Sequence, residues 1–251
     1  MTATGTQAIE RARRRAAVRD SVVDRATNDG RITSAALVGS LATDRADEWS
    51  DVDLTFGVEG DSLDEVVADL THWLREHHQA TVLIDLPVDD TLYRVFLLPD
   101  SLQLDLSFTP GGKVRRASPR FQQLFGTHTL KGSTPVDLED LAGWAVLHCM
   151  SSRTCIARGK RWQALHSVNE LRNLVLNMHC AQAGLPIGFG RAFDELPSRI
   201  LERFNDTVPA SVEVTELARA LRANIRELAR VPDVSLVEAV APQLTRWMDT
   251  R

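Results

Sequence analysis

The chain has 251 residues, 43% of them hydrophobic and 25% charged, an ordinary balance for a globular protein with material for one large core or two smaller ones. Its net charge of −5 argues against a protein that wraps nucleic acid, which normally carries a basic surplus. No run approaches the roughly 20 apolar residues of a membrane span, and the N-terminus passes through Glu10-Arg11-Ala12-Arg13-Arg14-Arg15 where a signal peptide would be apolar, so neither nucleic acid nor membrane is expected as a partner.

Residues 6–27 read as a helix with Ile9, Ala12, Ala16, Val22 and Val23 as its apolar stripe, closed by Asn28-Asp29-Gly30. Arg11, Arg13, Arg14, Arg15 and Arg19 are read as its solvated face, the alternative being an anion partner. A short buried strand near 32–38, carried by Ala35-Ala36-Leu37-Val38, stops at Gly39-Ser40. Glycine permits a tight turn with close backbone approach, and Ser40 offers a hydroxyl and an amide to a phosphate. A polar, acidic loop then leads through Trp49-Ser50 to Asp51-Val52-Asp53 and a strand near 52–58. Two carboxylates two residues apart on a strand leave the same face of the sheet.

Ser62 is a plausible N-cap for a helix over 63–78, with Leu63, Val66, Val67, Leu70 and Leu74 on one side. Three strand-like runs follow, Thr81–Leu86, Leu92–Leu98 and Leu102–Phe108. The links Pro87–Asp90 and Pro99–Ser101 are too short for crossover helices, so these strands are expected to run antiparallel. In the third, leucines and Phe108 take one face and Gln103, Asp105 and Ser107 the other. Converging carboxylates repel unless a cation lies between them, and oxygen-only ligation favours Mg²⁺. Asp105, added to Asp51 and Asp53, would complete a site for two metal ions gripping a phosphoryl centre.

Pro110-Gly111-Gly112 closes the sheet region, and 113–135, with Arg115, Arg116 and Arg120, reads as an irregular junction. From Val136 the β signal fades into helices near 137–157, 161–183, 192–205, 212–230 and 235–248. The expected organisation is therefore α+β, a mixed sheet backed by helices over 1–112, a junction over 113–135, and an all-α helical bundle over 136–251. Cys149, Cys155 and Cys180 lack metal-ligand spacing and read as buried thiols of a reducing compartment, which makes the cytoplasm the expected location.

In the 161–183 helix, Trp162, Leu165, Val168, Leu171, Val175 and Met178 form a broad apolar sector. His166, Asn169, Glu170, Asn173 and Asn177 fall together opposite, a polar stripe nearly free of Lys and Arg that suits a pocket wall. Glu170 is its only carboxylate and the candidate base for an acceptor hydroxyl, with His166 the alternative. Arg158 and Lys160, flanking Gly159 between two helices, either meet phosphate groups or serve the dipole of the preceding helix; Arg115, Arg116 and Arg120 compete with them as phosphate contacts.

Strand, Gly39-Ser40 turn, acidic loop, strand bearing Asp51-x-Asp53, and a later Asp105 resemble the nucleotidyltransferase superfamily that includes DNA polymerase β and the aminoglycoside and lincosamide nucleotidyltransferases. The resemblance covers roughly residues 30–108. It implies a palm domain and transfer of a nucleoside monophosphate, AMP by default, from ATP or another NTP, with pyrophosphate leaving. By that resemblance Gly39 and Ser40 hold the triphosphate, with Ser50 touching it; Asp51 and Asp53 bind both Mg²⁺ ions, and Asp105 the one nearer the acceptor. Many relatives carry a second glycine early in the loop after Gly-Ser; Thr43 and Asp44 stand there in this chain. The acceptor class it implies is a small-molecule hydroxyl such as that of an antibiotic, in which case the chain has a role in antibiotic resistance. An antitoxin-type nucleotidyltransferase that adenylylates and binds a protein partner is the alternative. A homo-oligomer is compatible with the sequence, which has no feature that specifies one.

Overall fold

Val52, Leu54, Phe56 and Val58 are almost wholly buried and alternate with Asp53, Thr55 and Gly57, so one face of this strand belongs to a core and the other carries polar or small groups. The computed structural model describes residues 3–43, 46–116, 120–130, 132 and 135–249. It separates into two units, Met1–Ser133 and Thr134–Arg251.

The first unit holds a mixed six-stranded sheet in the order β3-β4-β5-β2-β1-β7. Its strands are β1 (Ile32–Val38), β2 (Val52–Val58), β3 (Thr81–Val88), β4 (Thr91–Leu97), β5 (Gln103–Pro110) and β7 (Phe121–Phe125). The β3-β4-β5 run is antiparallel throughout, as the short links require. β2 and β5 run parallel, with Asp53 opposite Asp105, because α2 (Leu63–His78) and the β3-β4 hairpin intervene between them. The two strands therefore begin at the same sheet edge, which is also where antiparallel β1 ends. One face is covered by α1 (Ala3–Thr27) and α2: Val18, Val22 and Ala26 of the first and Val66, Leu70 and Leu74 of the second share a core with Phe56, Phe96, Leu104 and Phe108. The opposite face carries Asp53 and Asp105 at the edge where β2 and β5 begin, and the buried Thr55 and Ser107 beyond them.

Two expectations are corrected here. The apolar stripe of α1 is Val18-Val22-Ala26 and Ile9 is exposed; the same buried stripe continues into Arg15, at the i, i+3, i+7 spacing, so this arginine does not belong to a solvated face. The stretch read as irregular contains strands: β7 pairs antiparallel with β1, and β6 (Val114–Arg116) pairs parallel with β8 (His128–Leu130) as a separate two-stranded sheet. Residues 117–119, 131, 133 and 134 of that stretch lie outside the described residues.

The second unit is helical: α3 (Leu138–Ala157), α4 (Arg161–Gln182), α5 (Ser198–Phe204), α6 (Val214–Leu228) and α7 (Ser235–Asp249). Asp137 caps α3, its carboxylate accepting from the amides of Glu139 and Asp140 at 2.9 and 3.3 Å. Val168, Leu171, Val175 and Met178 of α4 pack with Ala142, Ala145 and Cys149 of α3 and with Ala220, Ile225 and Leu228 of α6. Trp162, placed in that apolar sector by its position, is instead 74% exposed at the first turn of α4. The helix expected over 192–205 is shorter, opening as a 3-10 turn at Phe193–Glu195 before Pro197 starts α5. All three cysteines are buried and unbridged; burial pushes the Cys149 thiol up to about 12. Among the described residues no helix is long and apolar enough to cross a membrane.

Gly57 lies under the chain that leaves β5. A Cβ there would stand 2.6 Å from the backbone of Gly112 and Lys113 and 2.2 Å from Ser34 Oγ. Gly57→Ala is expected to destabilise the first unit by about 1–3 kcal/mol, the usual cost of overpacking, and an unchanged urea midpoint contradicts that. At the corner before β1, Asp29 accepts from Nε and Nη2 of Arg31 at 2.8 and 2.7 Å. These hydrogen bonds, opposed by desolvation, hold its carboxyl down at about 2. A depressed carboxyl contributes stability that is full above the ordinary value near 4 and disappears as pH falls through 2. Asp29→Asn should therefore be less stable than wild type at pH 7, with the gap closing toward pH 2; a gap independent of pH contradicts this.

Candidate metal centre

The sheet edge described above gathers three carboxylates. Asp51, Asp53 and Asp105 are each half-buried and each offers an oxygen, all three oxygens lying within 4.8 Å of one another. Register explains the convergence. Asp53 and Asp105 are direct partners across the parallel β2–β5 pair, and Asp51, two residues before Asp53, leaves from the same face. Gln103, two residues before Asp105, donates from Nε2 to Asp105 Oδ1 and Oδ2 at 3.0 and 3.1 Å, and at 3.5 Å to Asp51 Oδ2. One amide thus links the carboxylates of two strands.

The turn after β1 closes on this group. Gly39 adopts φ +70°, and a Cβ on it would stand 2.3 Å from Asp53 Oδ2, so only glycine allows the backbone to pass this close to the carboxylate. Ser40 follows inside a 3-10 turn, Gly39–Ala42. Its Oγ is buried and has no hydrogen-bond partner among the described residues. An orphaned buried hydroxyl in the turn that packs on Asp53 is a donor that an anionic ligand accompanying a cation would satisfy. The donor set, oxygen only and carboxylate only, fits a hard divalent ion such as Mg²⁺. The triad could therefore coordinate a metal ion. Asp44 and Arg45, in the loop that follows, lie outside the described residues.

Ser50 stands immediately before Asp51, and its hydroxyl is engaged inside the turn: it donates to Asp47 Oδ1 at 3.0 Å and accepts from Asp47 N at 3.0 Å. The same bond from Ser50, with the amide of Trp49, lowers the Asp47 carboxyl pKa. Arg15 reaches this turn from α1, donating to the carbonyls of Asp47 and Ser50, while Arg11 lies over the Trp49 ring at 4.3 Å from its centroid. Sequence reasoning gave Gln103 and Arg15 no role. The signals were present: Gln103 shares the period-2 face of Asp105, and Arg15 lies on the helical stripe of Val18 and Val22.

Glu170, Arg158 and Lys160 belong to the second unit. Glu170 is half-buried on α4; its charge opposes the burial that lowers the His148 pKa, and likewise the burial that lowers that of Arg172. His166, one turn before it, has its ring 6.2 Å from that of His148. Of the amide stripe, Asn169 accepts from Arg172 at 3.0 Å and Asn177 from the Gly188 amide at 3.0 Å. Arg158 and Lys160 are exposed in the α3–α4 turn, the first as C-cap of α3 and the second as N-cap of α4. Of the junction arginines, Arg115 pairs with Asp90, and Arg116 lies over the Phe121 ring at 5.8 Å.

No family model matches this chain, and no curated protein sequence matches it significantly. Among solved structures it is similar to an aminoglycoside 6-adenyltransferase from Bacillus subtilis, at 16% identity over 91% of this chain and 89% of that one, with a TM-score of 0.35. It is similar also to a nucleotidyltransferase-like protein from Exiguobacterium sibiricum, at 12% identity over 94% and 80% with a TM-score of 0.39. A third likeness is to the polymerase core of TRAMP, an RNA surveillance complex, at 15% identity over 88% of this chain and 57% of that one, with a TM-score of 0.33. Likenesses this loose carry no functional argument, and the chemistry of the site stands on its own residues.

If the carboxylates form a metal centre, Mn²⁺ titrated into the protein should bind, and Asp53→Asn or Asp105→Asn should each weaken binding at least tenfold while leaving the circular dichroism spectrum unchanged, since each removes one of three charged ligands. Equal Mn²⁺ affinity in wild type and both variants contradicts this assignment.

Proposed function

We propose that the chain is a nucleotidyltransferase that moves a nucleoside monophosphate, AMP by default, from a nucleoside triphosphate to a hydroxyl of a small molecule, releasing pyrophosphate. The observation that carries this reading is the packing of the Gly39–Ser40 turn directly on Asp53, one of three converging carboxylates, with the Ser40 hydroxyl of that turn buried and without a partner among the described residues. A turn with an unpartnered hydroxyl suits phosphate oxygens; carboxylates so close suit the cations that accompany them.

In this reading Asp51, Asp53 and Asp105 hold two Mg²⁺ ions. Bound there, Mg²⁺ lowers the pKa of the acceptor hydroxyl and neutralises charge on the phosphoryl oxygens and the leaving pyrophosphate. Ser40 and the amides of its turn hold the β- and γ-phosphates, and Gly39 lets them lie against Asp53. Gln103 keeps Asp51 and Asp105 oriented. Ser50 contributes through the turn that delivers Asp51. The acceptor oxygen bonds to the α-phosphorus as the bond from that phosphorus to the bridging oxygen breaks. Glu170 is proposed as the group that takes the hydroxyl proton, and Arg158 and Lys160 as cations that receive the pyrophosphate. An aminoglycoside-like antibiotic is the acceptor class to try first, and resistance to it the biological role this would imply.

The test is release of pyrophosphate from Mg-ATP in the presence of a panel of hydroxyl-bearing aminoglycosides and related compounds. The expected result is pyrophosphate stoichiometric with adenylylated acceptor, abolished by Asp53→Asn and lowered about 10²–10⁴-fold in kcat by Glu170→Gln, with ATP binding little changed in the second variant. Inorganic phosphate in place of pyrophosphate would make the protein a phosphotransferase and reject the reading. Glu170→Gln at wild-type kcat would remove Glu170 from the chemistry.

A further inference from the structure

Arg15 is only 8% exposed, a rare state for an arginine. Its guanidinium donates to two backbone carbonyls, those of Asp47 and Ser50, the second at 3.2 Å. These carbonyls bracket a four-residue turn. Within it the Asp47 carboxylate accepts from the amide of Trp49 and the hydroxyl of Ser50, and the Ser50 amide donates back to the Asp47 carbonyl at 3.3 Å. The next residue is Asp51. Arg15 and Asp51 also share the wall of one cavity of about 210 Å³, together with Arg11, Arg14, Trp49 and Gln103.

From this geometry we infer that Arg15 is a positioning residue for the metal centre: it ties the turn at 47–50 to α1 and so fixes where β2 begins and where the Asp51 carboxylate stands. The inference rests on the reading of the triad as a metal site. Asp53 and Asp105 are held inside the sheet by their paired strands, whereas the backbone of Asp51 precedes the first residue of β2 and is placed by the loop, its side chain meeting Gln103 at 3.5 Å. That loop is acidic, with Asp47 and Glu48 beside Asp51, and like charges favour its drifting away from the carboxylate cluster. A guanidinium is suited to oppose this, because its Nη1 carries two N–H groups and donates to both carbonyls at once. Arg15 is anchored in turn by the buried stripe of α1, Val18 and Val22, so the tether runs from the hydrophobic core to the metal ligand.

The sign of one measurement separates positioning from simple electrostatics. Removing a nearby positive charge should by Coulomb attraction alone tighten the binding of a cation; releasing a ligand should weaken it. Mn²⁺ affinity is measured on the full chain by electron paramagnetic resonance of the free ion, with folding checked by circular dichroism. Arg15→Met is expected to bind Mn²⁺ about 10–100-fold more weakly than wild type, the usual loss when a group that orients a metal ligand is removed. Arg14→Ala removes a charge from the same cavity wall without touching the turn, and should leave affinity unchanged or slightly tighter. In an Asp51→Asn background Arg15→Met should add no further loss, since the ligand it positions is already absent. Should Arg15→Met fail to fold, Arg15→Lys keeps the charge but not the reach and geometry of Nη1, and a weakening of several-fold supports the inference. Unchanged or tighter Mn²⁺ binding in the folded Arg15 variants overturns the positioning role and leaves the metal centre standing. No Mn²⁺ binding by the wild-type protein overturns both.

Discussion

Three carboxylates brought within 4.8 Å of one another at a sheet edge are the constraint on which the rest of this site depends. At the effective dielectric of about 20 that suits partly buried charges, each such pair repels by on the order of 3 kcal/mol. A fold that holds them together must oppose that repulsion with covalent and hydrogen-bonded structure. It does so in three ways: the parallel register places Asp53 opposite Asp105, Gln103 donates to carboxylates of both strands, and the turn before Asp51 is tethered to α1 through Arg15. The Gly39 backbone adds a close approach that no larger residue permits. Such an arrangement has a physical purpose when a cation fills the centre.

The parallel β2–β5 pair is the topological feature that makes this possible. An antiparallel pairing of the same two strands would set the start of one beside the end of the other and separate Asp51 from Asp105 by the length of a strand, about 20 Å. The intervening α2 and β3-β4 hairpin supply the return path, and α2 serves at the same time as part of the apolar layer on the other face of the sheet. Fold and site are thus consequences of one crossover.

Much of this was legible in the sequence because two periodicities are strong. The alternation around Asp53 and Asp105 fixes which face their side chains take, and the Gly39-Ser40 stop after an apolar run marks the turn that closes on them. The mixed sheet followed by an all-α bundle could be read from the fading of period-2 patterns after Val136. The β7 strand could not, because Phe121-Gln122-Gln123-Leu124-Phe125 has no clean alternation and owes its strand to pairing with β1. Arg15 was hidden by its own neighbours: amid Arg11, Arg13, Arg14 and Arg19 it looks like one more solvated cation, and only tertiary structure supplies the two carbonyls that make its burial tolerable. Trp162 failed for the converse reason, since a large apolar residue at the right helical phase still ends up exposed at the first turn of α4.

Crystals grown with Mn²⁺ and a non-hydrolysable ATP analogue test the central claim most directly. The account predicts anomalous scattering between Asp51, Asp53 and Asp105, within the roughly 2.0–2.3 Å reach of carboxylate ligation, with the triphosphate lying on the Gly39–Ser40 turn and accepting from the Ser40 hydroxyl. Nucleotide bound elsewhere, with no anomalous peak among the three carboxylates, would contradict it.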